Sequence, residues 1–324
     1  VVDVLKIFLM KNILLLLLTI LVFSSCAYQK GLQELESMDD LSYPYEVKKV
    51  MLSNDIEIAY VDEGKGKETI VFIHGLGSYL PAWKMNIDDL RTQYRCIALD
   101  LPGYGKSSKG KYEGSMTFFA GIVKEFVEKL NLGKVTLAGH SMGGQISIVA
   151  ALGYPEIVEK LILVAPAGFE TFHKGQKDWF RNVFTPDLVK YTSVDQIREN
   201  LGYNFYRFPM EAEFMITDRI EMRTAEDFEG YCYIIPKCVQ GMVNEPVYDY
   251  LPDVNQPTLV VFGENDNLIP NRFLNGGPTE TYARQGAEKM PNAQLLMVPQ
   301  AGHFVHFEKA DKVNEAVSQF LSSQ

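Results

Sequence analysis

The chain has 324 residues, of which 47% are hydrophobic and 22% charged, enough for one large core and far from a disordered or collagen-like composition. Its formal net charge is −10, with no local stripe of Lys and Arg, so nucleic acid is not an expected partner. The length suits one large α/β domain with an insertion, or two smaller domains.

In chain order, the first feature is an apolar run at residues 13–23, preceded by Lys11 and followed by Ser24, Ser25 and Cys26, the layout of a secretory signal peptide. It is shorter than the roughly 20 apolar residues that a bilayer span takes. Met10-Lys11-Asn12 reads as the translation start, which makes residues 1–9 a mis-called extension. Ser24-Ser25-Cys26 resembles the end of a bacterial lipobox, which implies cleavage before Cys26, lipid on its sulfur and a membrane anchor; Phe23 departs from the Leu usual there. Cleavage after Ala27 and an uncleaved anchor are the alternatives, and all three place the following domain outside the cytoplasm. Residues 27–46, polar and ending in Tyr43-Pro44-Tyr45-Glu46, are expected to be a tether.

From residue 47 onward, short β-branched runs alternate with amphipathic helical patterns, the signature of a mostly parallel sheet with helices on both faces. Residues 47–52 and 56–61 read as two opening antiparallel strands, followed by core strands at 69–73, 96–99, 135–138, 161–164, 259–262 and 295–298. Helices are expected at about 83–91, 116–130, 142–152, 281–290 and 310–321, and Phe118, Ile122, Phe126 and Leu130 form a stripe expected to face the sheet. Between residues 169 and 250 no core strand appears and aromatics crowd, 16 in 82 residues, so this segment reads as a helical cap inserted after the sixth of eight strands. The core is then 47–168 plus 251–324. Cys96 falls in a predicted strand and reads as a buried thiol, whereas Cys232 and Cys238 could pair only if a loop formed around Pro236, being too far apart on a helix.

Chemistry concentrates in three places. Gly139-His140-Ser141-Met142-Gly143 matches G-x-S-x-G where a strand runs into a helix, a turn that presents the serine above the sheet edge and has no room for side chains at either glycine. The helix start behind Ser141 brings partial positive charge to where an oxyanion would form. Among five histidines, His74 and His140 lie in motifs with other duties and His173 at the entry to the cap, which leaves His303 and His306 as candidate bases. The acid is sought on the loop Gly263-Glu264-Asn265-Asp266, where Asp266 leads, with Glu264 and Glu170 as alternatives. The histidines are not spaced as metal ligands, and Gly103-Tyr104-Gly105 lacks the rest of a nucleotide fingerprint, so no metal or cofactor is implied.

On these residues, the sequence from 47 to 324 resembles the α/β-hydrolase family. The resemblance implies that the backbone amides of Leu76, in His74-Gly75-Leu76-Gly77, and Met142 form the oxyanion hole. It also makes Asp100-Leu101-Pro102-Gly103 a structural turn beside the site and sets the order Ser141, Asp266, His303 for nucleophile, acid and base. Serine at the elbow disfavours the aspartate-nucleophile dehalogenases and epoxide hydrolases of this fold. The expected function is hydrolysis of small carboxylic esters with an apolar acyl or aromatic group. Lactones, thioesters, C–C cleavage and acyl transfer use the same machinery, and a non-catalytic receptor lipoprotein is the reading from another class.

Overall fold

The computed structural model describes residues 31–323. The extension at 1–9, the apolar run, Cys26 and the start of the tether lie outside the described residues. Eight strands form one sheet: β1 Lys48–Met51, β2 Glu57–Glu63, β3 Thr69–Ile73, β4 Arg95–Leu99, β5 Val135–His140, β6 Val158–Val164, β7 Thr258–Gly263 and β8 Ala293–Val298. Their spatial order is β1-β2-β4-β3-β5-β6-β7-β8, with β2 antiparallel to both its neighbours and every later pairing parallel. The central strand β5 is buried at all six positions, which is why it reads as a continuous apolar run.

The helices are α1 Lys84–Leu90, α2 Met116–Lys129, α3 Met142–Gly153, α4 Lys174–Val183, α5 Pro186–Lys190, α6 Val194–Gly202, α7 Glu213–Glu221, α8 Phe228–Asn244, α9 Thr279–Lys289, α10 Val305–Glu308 and α11 Ala310–Ser322. One face of the sheet is covered by α2, α3 and α9 through Phe119, Phe126, Ile146 and Ala287, and the other by α1 and α11 through Ile87, Leu90, Val317 and Phe320. Helices α4 to α8 lie between β6 and β7, so the helical cap is inserted after the sixth strand. Among the described residues, no helix is long and apolar enough to cross a membrane.

Three expectations change. The stripe on α2 is not a single row: Ile122 and Phe126 are buried, but Phe118 and Leu130 are half-buried, and Met116, Phe119 and Val123 complete the face. A four-residue spacing drifts about 40° per step on a helix of 3.6 residues per turn, so the ends of a long i, i+4 row rotate off the face. No loop forms around Pro236, which sits inside α8, and Cys232 and Cys238 are buried free thiols on that helix.

The larger change concerns the tether, because its described part is docked. Leu35, Met38 and Leu41 are buried in the main core, and Ser37 and Asp40 form a reciprocal cap on a short 3-10 turn. Main-chain amides of Gln33, Leu35 and Met38 donate to Glu221, Thr224 and Asp227 of the cap. At the other end, Tyr43 Oη donates to the buried Asp100 carboxylate at 2.6 Å. The segment is a strap from cap to core, because three apolar side chains spaced three apart bury together on one side of it.

Candidate active site

Strand β5 ends at His140, and the next residue turns sharply: Ser141 has φ 53° and ψ −115°, a left-handed conformation that a non-glycine residue adopts only when its surroundings enforce it. The surroundings are the two glycines. A Cβ at Gly139 would lie 2.2 Å from the Gly143 carbonyl oxygen, and a Cβ at Gly143 would lie 2.2 Å from the Ile73 carbonyl oxygen. Met142 follows as the first residue of α3, where an α-helix leaves the N–H without an internal acceptor. The loop after β3 closes against this turn, since a Cβ at Gly75 would come 3.1 Å from Ser141 Cβ. Leu76 and Met142 thus lie on the two segments that flank Ser141.

His303 lies after β8 and is almost fully buried. Its Nδ1 is 2.7 Å from Asp266 Oδ2, and Asp266 is wholly buried on the loop after β7. The other carboxylate oxygen of Asp266 accepts from the amides of Leu268 at 2.7 Å and Ile269 at 3.1 Å. Three donors therefore converge on one carboxylate, which fixes its rotamer and holds the proton of the imidazole on Nδ1.

The other histidines have separate duties. His140 Nε2 donates to the carbonyl oxygen of His303 at 3.1 Å, bracing the backbone of that loop. His74 Nδ1 donates to the Gly75 carbonyl at 2.9 Å while its Nε2 accepts from the Leu101 amide at 3.0 Å, linking two loops. His306 is fully buried against the Trp83 ring, with centroids 4.3 Å apart, and burial pushes it down to about 3. It is a neutral packing residue with no carboxylate partner, unlike His303.

Of the alternative acids, Glu264 is exposed, and Glu170 accepts from the Asn271 amide and from Asn275 Nδ2. Glu170 thus clamps the chain that follows Asp266, and burial pushes its carboxyl up to about 7. Asp100 is the expected structural turn residue: it is fully buried and also accepts from the amides of Leu80 and Lys106.

One contributor has no sequence signal strong enough to name its role. Glu308 accepts from the Gly302 amide at 2.8 Å and from the amides of Tyr206 at 3.0 Å and Arg207 at 2.7 Å, so a single carboxylate joins the loop before His303 to the cap. The hint in the sequence is that Glu308 continues, after Gly302 and His303, the pattern of the family the chain resembles, without showing what it holds.

A cavity of about 360 Å³ opens under the cap. Its wall includes Leu76, Phe184, Ile197, Leu201, Met215 and Phe304, with polar side chains at Gln196, Asn200, Asn204, Asp218 and Arg219. Tyr79 Oη donates to Asp218 at 2.5 Å, and burial pushes that carboxyl up to about 6. Ser141 and His303 are not part of this wall; their neighbours Leu76 and Phe304 are, so the cavity reaches the site from its side.

Residues 68–212 match the family model described as the alpha/beta hydrolase fold. Over 80% of this chain and 64% of the relative, the sequence is 29% identical to the dihydrolipoyllysine-residue acetyltransferase component of an acetoin cleaving system from Pseudomonas putida, so the chain spans under two thirds of that protein. A probable hydrolytic enzyme from Pseudomonas aeruginosa PAO1 superposes with a TM-score of 0.77 at 25% identity, covering 89% of this chain and 98% of that one. A membrane phospholipase A, described as a bacterial virulence factor, superposes with a TM-score of 0.70 at 25% identity, covering 98% of each chain. By its sheet order, its strand-to-helix serine turn and these matches, this chain has the α/β-hydrolase fold.

Proposed function

We propose that the chain is a serine hydrolase working through an acyl-enzyme, with Ser141 as nucleophile, His303 as general base and Asp266 as the group that orients it. The observation that carries this reading is the 2.7 Å contact between His303 Nδ1 and the buried Asp266 carboxylate, with Ser141 held at φ 53° directly after His140, whose ring lies 4.8 Å from that of His303. His303 Nε2 takes the Ser141 Oγ proton as the oxygen attacks the carbonyl carbon, and the Leu76 and Met142 amides receive the oxyanion. The same nitrogen returns the proton to the leaving alcohol and then activates water to release the acid.

The substrate class we propose is small carboxylic esters with an apolar acyl or aromatic group. Support comes from the cavity, whose wall has nine Leu, Ile, Met and Phe side chains among twenty residues, joined by Val189, Tyr79 and Tyr231, and from the likeness to a membrane phospholipase A. We also propose that the chain is exported and carries lipid on Cys26; loss of labelled fatty acid in Cys26→Ser tests this, and retention of label overturns it.

Labelling by a fluorophosphonate probe, lost in Ser141→Ala, tests the mechanism. A panel of esters, lactones and thioesters across chain length tests the substrate. Catalytic efficiency is expected to rise from acetyl to medium-chain esters, at about 0.8 kcal/mol per buried methylene. A flat or falling profile, or preference for a charged substrate, overturns the apolar-ester reading.

A further inference from the structure

The outer surface of the cap carries more exposed apolar side chain than its packing needs. Trp179 and Val183 on α4, Leu188 on α5 and Tyr191 just after it are 38%, 38%, 47% and 69% exposed. Phe273, 86% exposed, belongs to the same side, because Gln176 on α4 donates to the carbonyl of the neighbouring Leu274. This patch borders the mouth of the cavity. Leu188 is both exposed and part of the cavity wall, and the Trp179 ring is 6.5 Å from that of Phe184, another wall residue.

Charge and connectivity say what covers it. Across residues 174–191 there are four cations, Lys174, Lys177, Arg181 and Lys190, against Asp178 and Asp187, with Glu229 of α8 facing Lys190. Asp178 pairs with both Lys174 and Arg181, so the segment carries +2, or +1 with Glu229, in a chain of net charge −10. The chain also enters the described fold at the cap, where Leu32 packs with Ile197, Ile216 and Ile220 of α6 and α7. Cys26, the proposed lipid site, is five residues before Gly31, a reach of at most about 18 Å at full extension. A body of this length is roughly 50 Å across, so lipid on Cys26 would hold the cap side, where the chain enters the fold, toward the membrane.

From the apolar patch, the local positive charge and the entry of the chain at the cap, we infer that the outer face of α4 and α5 seats on an anionic lipid surface, with the cavity mouth turned toward the bilayer. Aromatic and aliphatic side chains flanked by Lys and Arg are the make-up of an interfacial surface, and a patch of this kind on a soluble face marks an interaction site. Resting on the ester-hydrolase reading, this assigns the substrate to esters taken from the membrane rather than from solution.

The chain has two tryptophans, and Trp83 is buried, so Trp179 is the sole accessible reporter. The full-length protein is reconstituted into vesicles of phosphatidylglycerol and phosphatidylcholine with and without lipid brominated on the acyl chain. Bromolipid is expected to quench wild-type emission at least twofold, with the quenchable component absent in Trp179→Phe. The double variant Val183→Asp with Tyr191→Asp is expected to lose at least tenfold in turnover of a long-chain ester embedded in the vesicles while keeping its rate on a short water-soluble ester. Unquenched emission in the wild type, or equal loss on both esters in the double variant, overturns the membrane-facing surface. Quenching is read without catalysis, so failure of Ser141-dependent ester cleavage would count against the proposed function alone.

Discussion

A carboxylate that takes three donors inside a protein has little freedom left, and Asp266 is in that position, held by the Leu268 and Ile269 amides as well as by His303. Asp266→Asn would keep the shape but favour the wrong imidazole tautomer, so kcat is expected to fall by roughly 10⁴, measured on a soluble ester. Glu170→Gln is expected to keep most of the activity, because Glu170 holds the loop and not the imidazole. The same kcat assay with a thermal melt separates the histidines: His303→Ala should abolish turnover, whereas His306→Ala opens a void beside Trp83 and is expected to cost stability first.

Glu170 also predicts a pH effect on stability. Its folded value of about 7 lies above the ordinary 4.5, so folding favours the neutral acid. The contribution is complete below the unfolded value and is lost as pH rises through the folded one, amounting to at most about 3 kcal/mol. Denaturant melts of Glu170→Gln between about pH 4 and pH 8 should show a smaller fall in stability with rising pH than the wild type. An unchanged slope would mean that another group sets it.

At the scale of elements, the strap and the serine turn show what could be read in advance. The turn was legible because both glycines are required by backbone contacts of 2.2 Å, a constraint that leaves its mark on the sequence. The sheet was legible because buried parallel strands must be continuously apolar. The strap was not, because Leu35, Met38 and Leu41 are sparse among polar residues and their partners lie far along the chain, as in the pairing of Met38 with Asp227. Nor did the sequence indicate that His140 Nε2 and both ring nitrogens of His74 are spent on loop carbonyls and an amide, since those bonds exist only once three loops meet. Tyr43→Phe tests the strap: it leaves the buried Asp100 one donor short and is expected to destabilise by about 1–3 kcal/mol, read as a lowered thermal midpoint.

For the molecule as a whole, the cap is fastened at several points: by the strap, by Gln145 Nε2 donating to the carbonyls of Met242 and Glu245, and by Glu308. Glu308→Ala would free the Gly302, Tyr206 and Arg207 amides together, so both kcat and protection of residues 204–208 from hydrogen exchange are expected to fall. A variant that loses exchange protection but keeps kcat would show that the base loop stands without the cap.

The double allegiance of Glu308 also limits how the enclosure can breathe. A lid that swung away as a rigid plate would drag on the amide just before His303 and spoil the alignment it is meant to shelter. With the lid closed, the cavity meets the surface at its exposed wall residues, Leu188 on α5 and Gln196 and Asn200 on α6. A gate of constant width sorts molecules by girth: slender, flexible chains can thread it, and stiff or branched ones of equal volume cannot.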